Sequence, residues 1–172
     1  GCKLISQHAD SMGAPTACES AGVPNVSYNG STLDACPNTF IVSSRINWVP
    51  YMKYMIECVR DNKAIDTDWC KGINEGAVEL TPINEKVAAP GTAEAIKAAE
   101  EQFKAGTLHV FDTSTFTVDG KTLTSYMADV DTDEKFTPDT EVISNGYFHE
   151  SEKRSAPYFD VNIDGITLLN EG

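Results

Sequence analysis

His8 and Asp10 alternate with Ala9 just after a short apolar run, Leu4-Ile5, and Ser11 follows directly. An imidazole and a carboxylate at that spacing on an extended chain share one side and make a polar rim at a strand end. Such a rim exchanges hydrogen bonds with a bound molecule or moves a proton. The competing role is local: Asp10 or Ser11 accepts the first backbone N–H groups of the helix that follows. Asn29 stands after a second apolar stretch, next to Gly30. Its amide donates and accepts, which suits a hydroxyl or a base edge, and Asn-Gly equally suits a turn. Asn47 and Trp48 follow a third stretch, with Arg45 as the nearest base. Trp48 can stack on a planar ring or anchor a helix through its apolar side. Asn47 also suits a helix N-cap. Tyr28, inside the second stretch, reads as core. His8, Asp10, Asn29, Asn47 and Trp48 are thus the candidate binding residues.

Other combinations mark less. The chain holds no Gly-x-Ser-x-Gly, no Walker loop and no Gly-x-Gly-x-x-Gly. Its three histidines lie far apart and mark no nucleophile with its base. A hydrolase or metal enzyme using His8 and Asp10 stays open as an alternative. Asp129, Asp131 and Asp133 alternate like calcium ligands, but Glu134 and Thr140 occupy the positions where an EF-hand needs Gly and Glu. They read as a solvated acidic loop. His149, Glu150 and Glu152, beside Lys153 and Arg154, read as surface ion pairs. No metal and no cofactor is expected.

The elements that position the candidates follow from periodicity. Leu4-Ile5 begins a strand. Pro15 suits a first helical turn, Ala14, Ala17, Cys18 and Ala21 recur at helical spacing, and Gly22 is a stop. Val23 to Tyr28 is the next strand, so a βαβ unit with parallel strands occupies the first 28 residues. Ligands in such sheets bind beyond the carboxyl ends of the strands, where the candidates lie. Residues 39–44 predict a third strand. Trp48, Tyr51, Met52, Met55, Ile56 and Val59 predict a helix that buries this face, with Lys53, Glu57 and Arg60 outside. A short strand at 77–80, a helix at 93–105 and a strand at 108–111 follow. Asp119-Gly120 between residues 115–118 and 121–126 is a hairpin signature. Residues 141–144 and 160–169 are further strand candidates. The expected architecture is α/β: a mostly parallel sheet flanked by helices, with a β-rich C-terminal tail. It is one unit over 1–172, an α/β core at 1–111 and a hairpin with an irregular tail at 112–172.

Composition narrows the class. The chain has 172 residues, 41% of them hydrophobic, and a net charge of −13 from 26 acids and 13 bases. That balance disfavours nucleic acid and anionic lipid as partners. No run is long enough to span a bilayer, and no charged-then-apolar leader is present. Five cysteines cannot all pair within one chain. Cys18 and Cys58 read as small hydrophobes on helix faces, with a Cys58–Cys70 bridge as the alternative.

Gln-His-Ala-Asp-Ser at 7–11, Glu-Ser-Ala-Gly-Val at 19–23 and Asn-Trp-Val-Pro-Tyr at 47–51 together resemble the basic membrane lipoprotein family. Asn-Glu-Gly-Ala-Val-Glu-Leu-Thr-Pro at 74–82 and Lys-Ala-Gly-Thr-Leu-His-Val-Phe at 104–111 continue the series. The family comprises substrate-binding lipoproteins of ABC importers, among them purine-nucleoside receptors, with the two-lobed type I periplasmic-binding-protein fold. The resemblance implies a C-terminal lobe only, lacking its N-terminal lobe. It implies a purine nucleoside or nucleobase as ligand, an ABC permease as partner, and an extracytoplasmic, membrane-anchored parent protein rather than an enzyme. Nucleoside-binding relatives carry a Gly-rich loop where Asp10-Ser11 stands, often an aspartate where Asn29 stands, and in some cases a lysine near Asn47. Those departures leave nucleoside and free base both open. A ligand-sensing domain of a regulator or receptor with the same fold is the alternative. Sheet edges left bare by the absent lobe would favour a homodimer.

Overall fold

The computed structural model describes residues 1–131, 133–153 and 161–167. The chain forms two compact units, Gly1–Ala105 and Gly106–Gly172. This division falls earlier than the boundary at 111 drawn from the pattern, because Phe111 joins the core of the second unit.

The first unit is built on a sheet of β1 (Ile5–Ser6), β2 (Asn25–Tyr28), β3 (Phe40–Ile46) and β4 (Val78–Leu80), in that spatial order. β1–β2 and β2–β3 are parallel and β3–β4 is antiparallel. α1 (Gly13–Ala21) makes the β1–β2 crossover. It ends because Gly22 turns left-handed (φ 65°), which lets Val23 N–H reach the Cys18 carbonyl at 3.0 Å. α2 (Val49–Arg60) starts from β3 with Pro50 in its first turn. α3 (Thr92–Ala105) has Glu94 in its first turn, next to the positive end of the helix dipole.

The interior of this unit is unusually polar. Cys18, Cys36, Phe40, Val42, Cys58 and Ala77 are buried together with Asn25, Ser27, Thr39, Ser43 and Thr81. A hydrogen-bonded chain crosses it. Asn25 Nδ2 donates to Thr39 Oγ1 at 3.0 Å, and that hydroxyl donates to Glu19 Oε2 at 2.7 Å. Glu19 Oε1 also accepts from Asn38 Nδ2 at 2.6 Å. The Thr39 hydroxyl, then Asn38, hold the Glu19 carboxyl below its usual range. A carboxylate with a depressed folded value stabilises the fold above its unfolded value and loses that contribution as pH falls through the folded one. Glu19→Gln keeps an acceptor oxygen and cannot titrate. Thermal melts of the two proteins are therefore expected to differ at neutral pH and to converge below the usual carboxylate range. A constant difference across that range would rule out this role for Glu19.

All five cysteines are free, with Cys18, Cys36 and Cys58 buried and Cys2 and Cys70 exposed. The two helix thiols pack as small hydrophobes, and no Cys58–Cys70 bridge forms. Burial and the neighbouring Glu19 push the Cys36 thiol up.

The apolar face of α2 differs from expectation. Cys58 is buried, while Tyr51, Tyr54 and Met55 are half-buried. Met52, Ile56 and Val59 are exposed, the last two at 68% and 72%. Trp69, from the connector after α2, packs on Tyr51 and Tyr54 with ring centroids 5.1 and 6.2 Å away. The large aromatic surfaces win the limited cover, and the aliphatic stripe stays outside.

The second unit holds two short pairs. β5 (Met127–Ala128) pairs with β6 (Thr140–Glu141), and β7 (Ile143–Ser144) pairs with β8 (Tyr147–Phe148), both antiparallel. α4 (Glu150–Lys153) follows. Ala128, Val142, Ile143 and Phe148 form the core, with Phe111, Phe116, Leu123, Tyr126 and Val130 packed around it.

Three sequence expectations change here. Residues 108–111 form no strand. The chain makes an isolated bridge, Asp112–Tyr147, because Asp112 turns aside to cap the 3-10 turn Thr113–Thr115, accepting from Ser114 N–H at 2.8 Å. The Asp119-Gly120 turn forms with both φ positive, 50° and 72°, as a type I′ turn needs, but its ladder is the single pair Val118–Lys121. The strand expected at 160–169 is absent from described residues 161–167, where Asp164-Gly165 turns; its remainder lies outside the described residues. The Asp164 carboxylate instead accepts from Gly120 N–H at 2.8 Å and from the Thr117 hydroxyl. Among the described residues no helix is long and apolar enough to cross a membrane, and no metal-binding cluster forms.

Candidate functional site

β1 and β2 run parallel, so both carboxyl ends open on one edge of the first unit's sheet. A cavity of about 350 Å3 lies there, lined chiefly by Gln7, Asp10, Ser11, Tyr28, Asn29 and Ser31. The elements explain the lining. Gln7 N–H still bonds the Val26 carboxyl-end carbonyl at 3.2 Å, so the chain leaves the sheet only after Gln7. The loop to α1 then carries Asp10 and Ser11. On the next strand Asn29 takes a left-handed conformation (φ 70°), which asparagine tolerates better than most residues, and its N–H bonds the Ser44 carbonyl at 2.6 Å. Asn29 therefore makes the turn and lines the cavity at once.

Asp10 and Ser11 do not cap α1. That helix begins after Met12 with no side-chain cap, and Thr16 bonds back to Met12 instead. The loop carboxylate is thereby left facing the cavity. Gln7 adds an enclosed acceptor: its Oε1 is buried with no hydrogen-bond partner. A buried acceptor without a donor costs about 1–3 kcal/mol, which a donor on a bound molecule would relieve. Asp10 is the one ionisable acid or base among the lining residues apart from the Tyr28 phenol. Arg45, on β3, is spent on Glu79, with Nε 2.6 Å from Oε1. Acceptors without a cation disfavour phosphorylated molecules and suit neutral ones rich in O–H and N–H donors.

The five sequence candidates separate into groups. Asp10 and Asn29 meet at the cavity. His8 is exposed and stacks on Tyr28, centroids 5.3 Å apart at 17°. Tyr28 is thus a rim residue rather than core. Asn47 and Trp48 follow the longer β3, which passes the end of β2 by two residues, since Tyr28 pairs with Ser44 and the strand runs to Ile46. Asn47 Oδ1 accepts from Val49 N–H at 3.1 Å, closing the turn into α2. Trp48 is 57% exposed and meets Tyr51 edge-on. Neither lines the cavity. Gln7, Ser11 and Ser31 line the cavity without being among the five candidates; their only signal in the sequence is polarity at a strand end.

The arrangement is that of an α/β crevice site at parallel strand ends. Comparison with solved structures shows a distant likeness. An ABC transporter solute-binding protein from Conexibacter woesei DSM 14684 superposes with a TM-score of 0.49 at 19% sequence identity. The superposition covers 64% of this chain and 37% of that one. No family profile and no curated protein matches the chain.

Proposed function

We propose that the first unit is a ligand-binding lobe of an ABC importer's solute receptor, resembling the basic membrane lipoproteins. The observation that carries this is the donor-seeking cavity where β1 and β2 end, holding Asp10 and Asn29. The ordered sequence resemblance supports it. The ligand is a purine nucleoside or nucleobase: neutral, planar, and supplied with N–H and O–H donors for the Asp10 carboxylate and the unpartnered Gln7 Oε1. On this reading His8, Asn47 and Trp48 stand along the same sheet edge and contact the ligand's outer parts. The permease and the extracytoplasmic, membrane-anchored setting follow from the same reading. The site binds and does not turn over its ligand.

Native mass spectrometry of the full-length parent protein, then denaturation, is expected to release a purine or a purine nucleoside; this lobe by itself should bind only weakly. Asp10→Ala removes a charged acceptor, worth about 1.5–3 kcal/mol to a donor. Calorimetric titration with inosine and adenine should show at least about a tenfold loss of affinity for that variant. An empty protein with no thermal shift in either compound would sink the ligand assignment. Binding that Asp10→Ala and Asn29→Ala both leave unchanged would sink the site.

A further inference from the structure

The second unit holds a separate constellation. Ser144 ends β7, the Asn145-Gly146 turn follows, and His149 stands just after β8. The hairpin brings Ser144 Oγ to 2.6 Å from His149 Nε2. On the other side of the ring, Nδ1 lies 3.2 Å from Glu152 Oε1. His149 and Glu152 are three apart across the start of α4, so helical geometry sets the second contact. The His149 side chain is 12% exposed and that of Glu152 71%, so the sheltered imidazole is more than half of a surface ion pair.

The ring is held in place. Tyr147 stacks on His149 with centroids 4.2 Å apart, and His109 stacks on Tyr147 at 3.5 Å. Nε2 also lies 3.2 Å from the Ser144 carbonyl oxygen, which accepts from it once Nε2 has taken a proton. The tautomer with its proton on Nδ1, facing the Glu152 carboxylate, leaves the Nε2 lone pair for the Ser144 hydroxyl. That is a nucleophile, a base and a group that orients the base.

Ser144 borders a cavity of about 430 Å3, lined also by Thr113, Leu123, Ile143, Gly146 and Tyr147. The N–H groups of Asn145 and Gly146 belong to the turn, outside the Ser144–Tyr147 pair that ends the ladder. Asp112, the carboxylate of this lining, is occupied by the Ser114 N–H and hydroxyl.

We propose that Ser144, His149 and Glu152 form a hydrolytic triad for small uncharged carboxylic esters. Ser144 Oγ attacks the ester carbonyl carbon while His149 Nε2 takes the hydroxyl proton. The carbonyl–alkoxy bond breaks, and His149 returns that proton to the leaving alcohol. Water then attacks the acyl-Ser144 carbonyl, giving its proton to His149. The carboxylic acid leaves as the proton returns to Ser144 Oγ. Ester and water become acid and alcohol, and the protein is regenerated. Ser144 and His149 are catalytic; Glu152 is a positioning residue.

The test uses the full chain with a fluorophosphonate and, separately, p-nitrophenyl acetate. The expected result is one phosphonyl adduct on Ser144 by peptide mass spectrometry, and ester hydrolysis that Ser144→Ala abolishes. His149→Gln should lower kcat about 10²–10⁴-fold, the range for a lost general base. Glu152→Gln should lower kcat with KM unchanged, and Glu152→Asp should restore part of it. Labelling needs no variant, so a misfolded mutant cannot mask the answer. An unlabelled Ser144, or hydrolysis by Ser144→Ala at the unmutated rate, overturns the proposal.

Discussion

Replacing Phe148 with alanine is expected to unfold the second unit. The ring is fully buried, meets Phe111 edge-on at 6.4 Å and Tyr126 at 5.8 Å, and packs with Ala128, Val142 and Ile143. Truncating a buried phenylalanine costs about 3–5 kcal/mol, the lost transfer energy plus the cavity left behind. Whole domains are stable by only about 5–15 kcal/mol, and a unit this small sits toward the low end. The short strand pairs cannot supply the difference, since isolated two-stranded ribbons are marginal in water. Hydrogen exchange read peptide by peptide should show protection lost across 106–153. Phe148→Leu keeps most of the apolar volume and should retain it. Unchanged exchange in Phe148→Ala would mean that the core lies elsewhere.

Thr39→Val is the second large effect. Thr39 is 2% exposed, and its hydroxyl is the middle link between Asn25 and Glu19. Valine matches its shape, so packing survives and only the polar links go. Asn25 is fully buried, and its Oδ1 already lacks a partner. With the hydroxyl gone its Nδ2 is orphaned as well, and a buried polar group left unpaired costs about 1–3 kcal/mol. Urea unfolding of the first unit should register that loss with an unchanged slope. Asn25→Leu on top of Thr39→Val removes the orphan and should recover part of it, so the two substitutions are non-additive. A Thr39→Val protein within about 0.5 kcal/mol of the original, the ordinary spread for an uninvolved site, would show that the buried links contribute little.

Local grammar carried much of the fold. Gly22, Pro50 and Asp119-Gly120 are signals whose backbone preference acts within a few residues, and each acts where the pattern places it. The parallel β1–β2 pair follows because a helix between two strands leaves little other choice. Asp10 and Asn29 were legible for the same reason: parallel strands end on one edge, and polar residues there face a crevice. Everything that depends on which surface covers which was decided in three dimensions. Helical period marks an apolar side on α2, but Trp69 covers the tyrosines and leaves Ile56 and Val59 outside. Residues 108–111 have strand composition, yet a strand needs a partner in register, and Asp112 ends the pairing after one bridge. Asn47 is polar at a strand end like Asn29, but its side-chain oxygen is taken by the start of α2 and it does not line the cavity. Ser144 and His149 stand five residues apart with no motif around them; only the turn between β7 and β8 folds that distance into a hydrogen bond. Sequence alone determines preferences whose range is a turn or a strand. Partners are chosen by competition for burial and for hydrogen bonds, and that competition exists only once the chain has closed on itself.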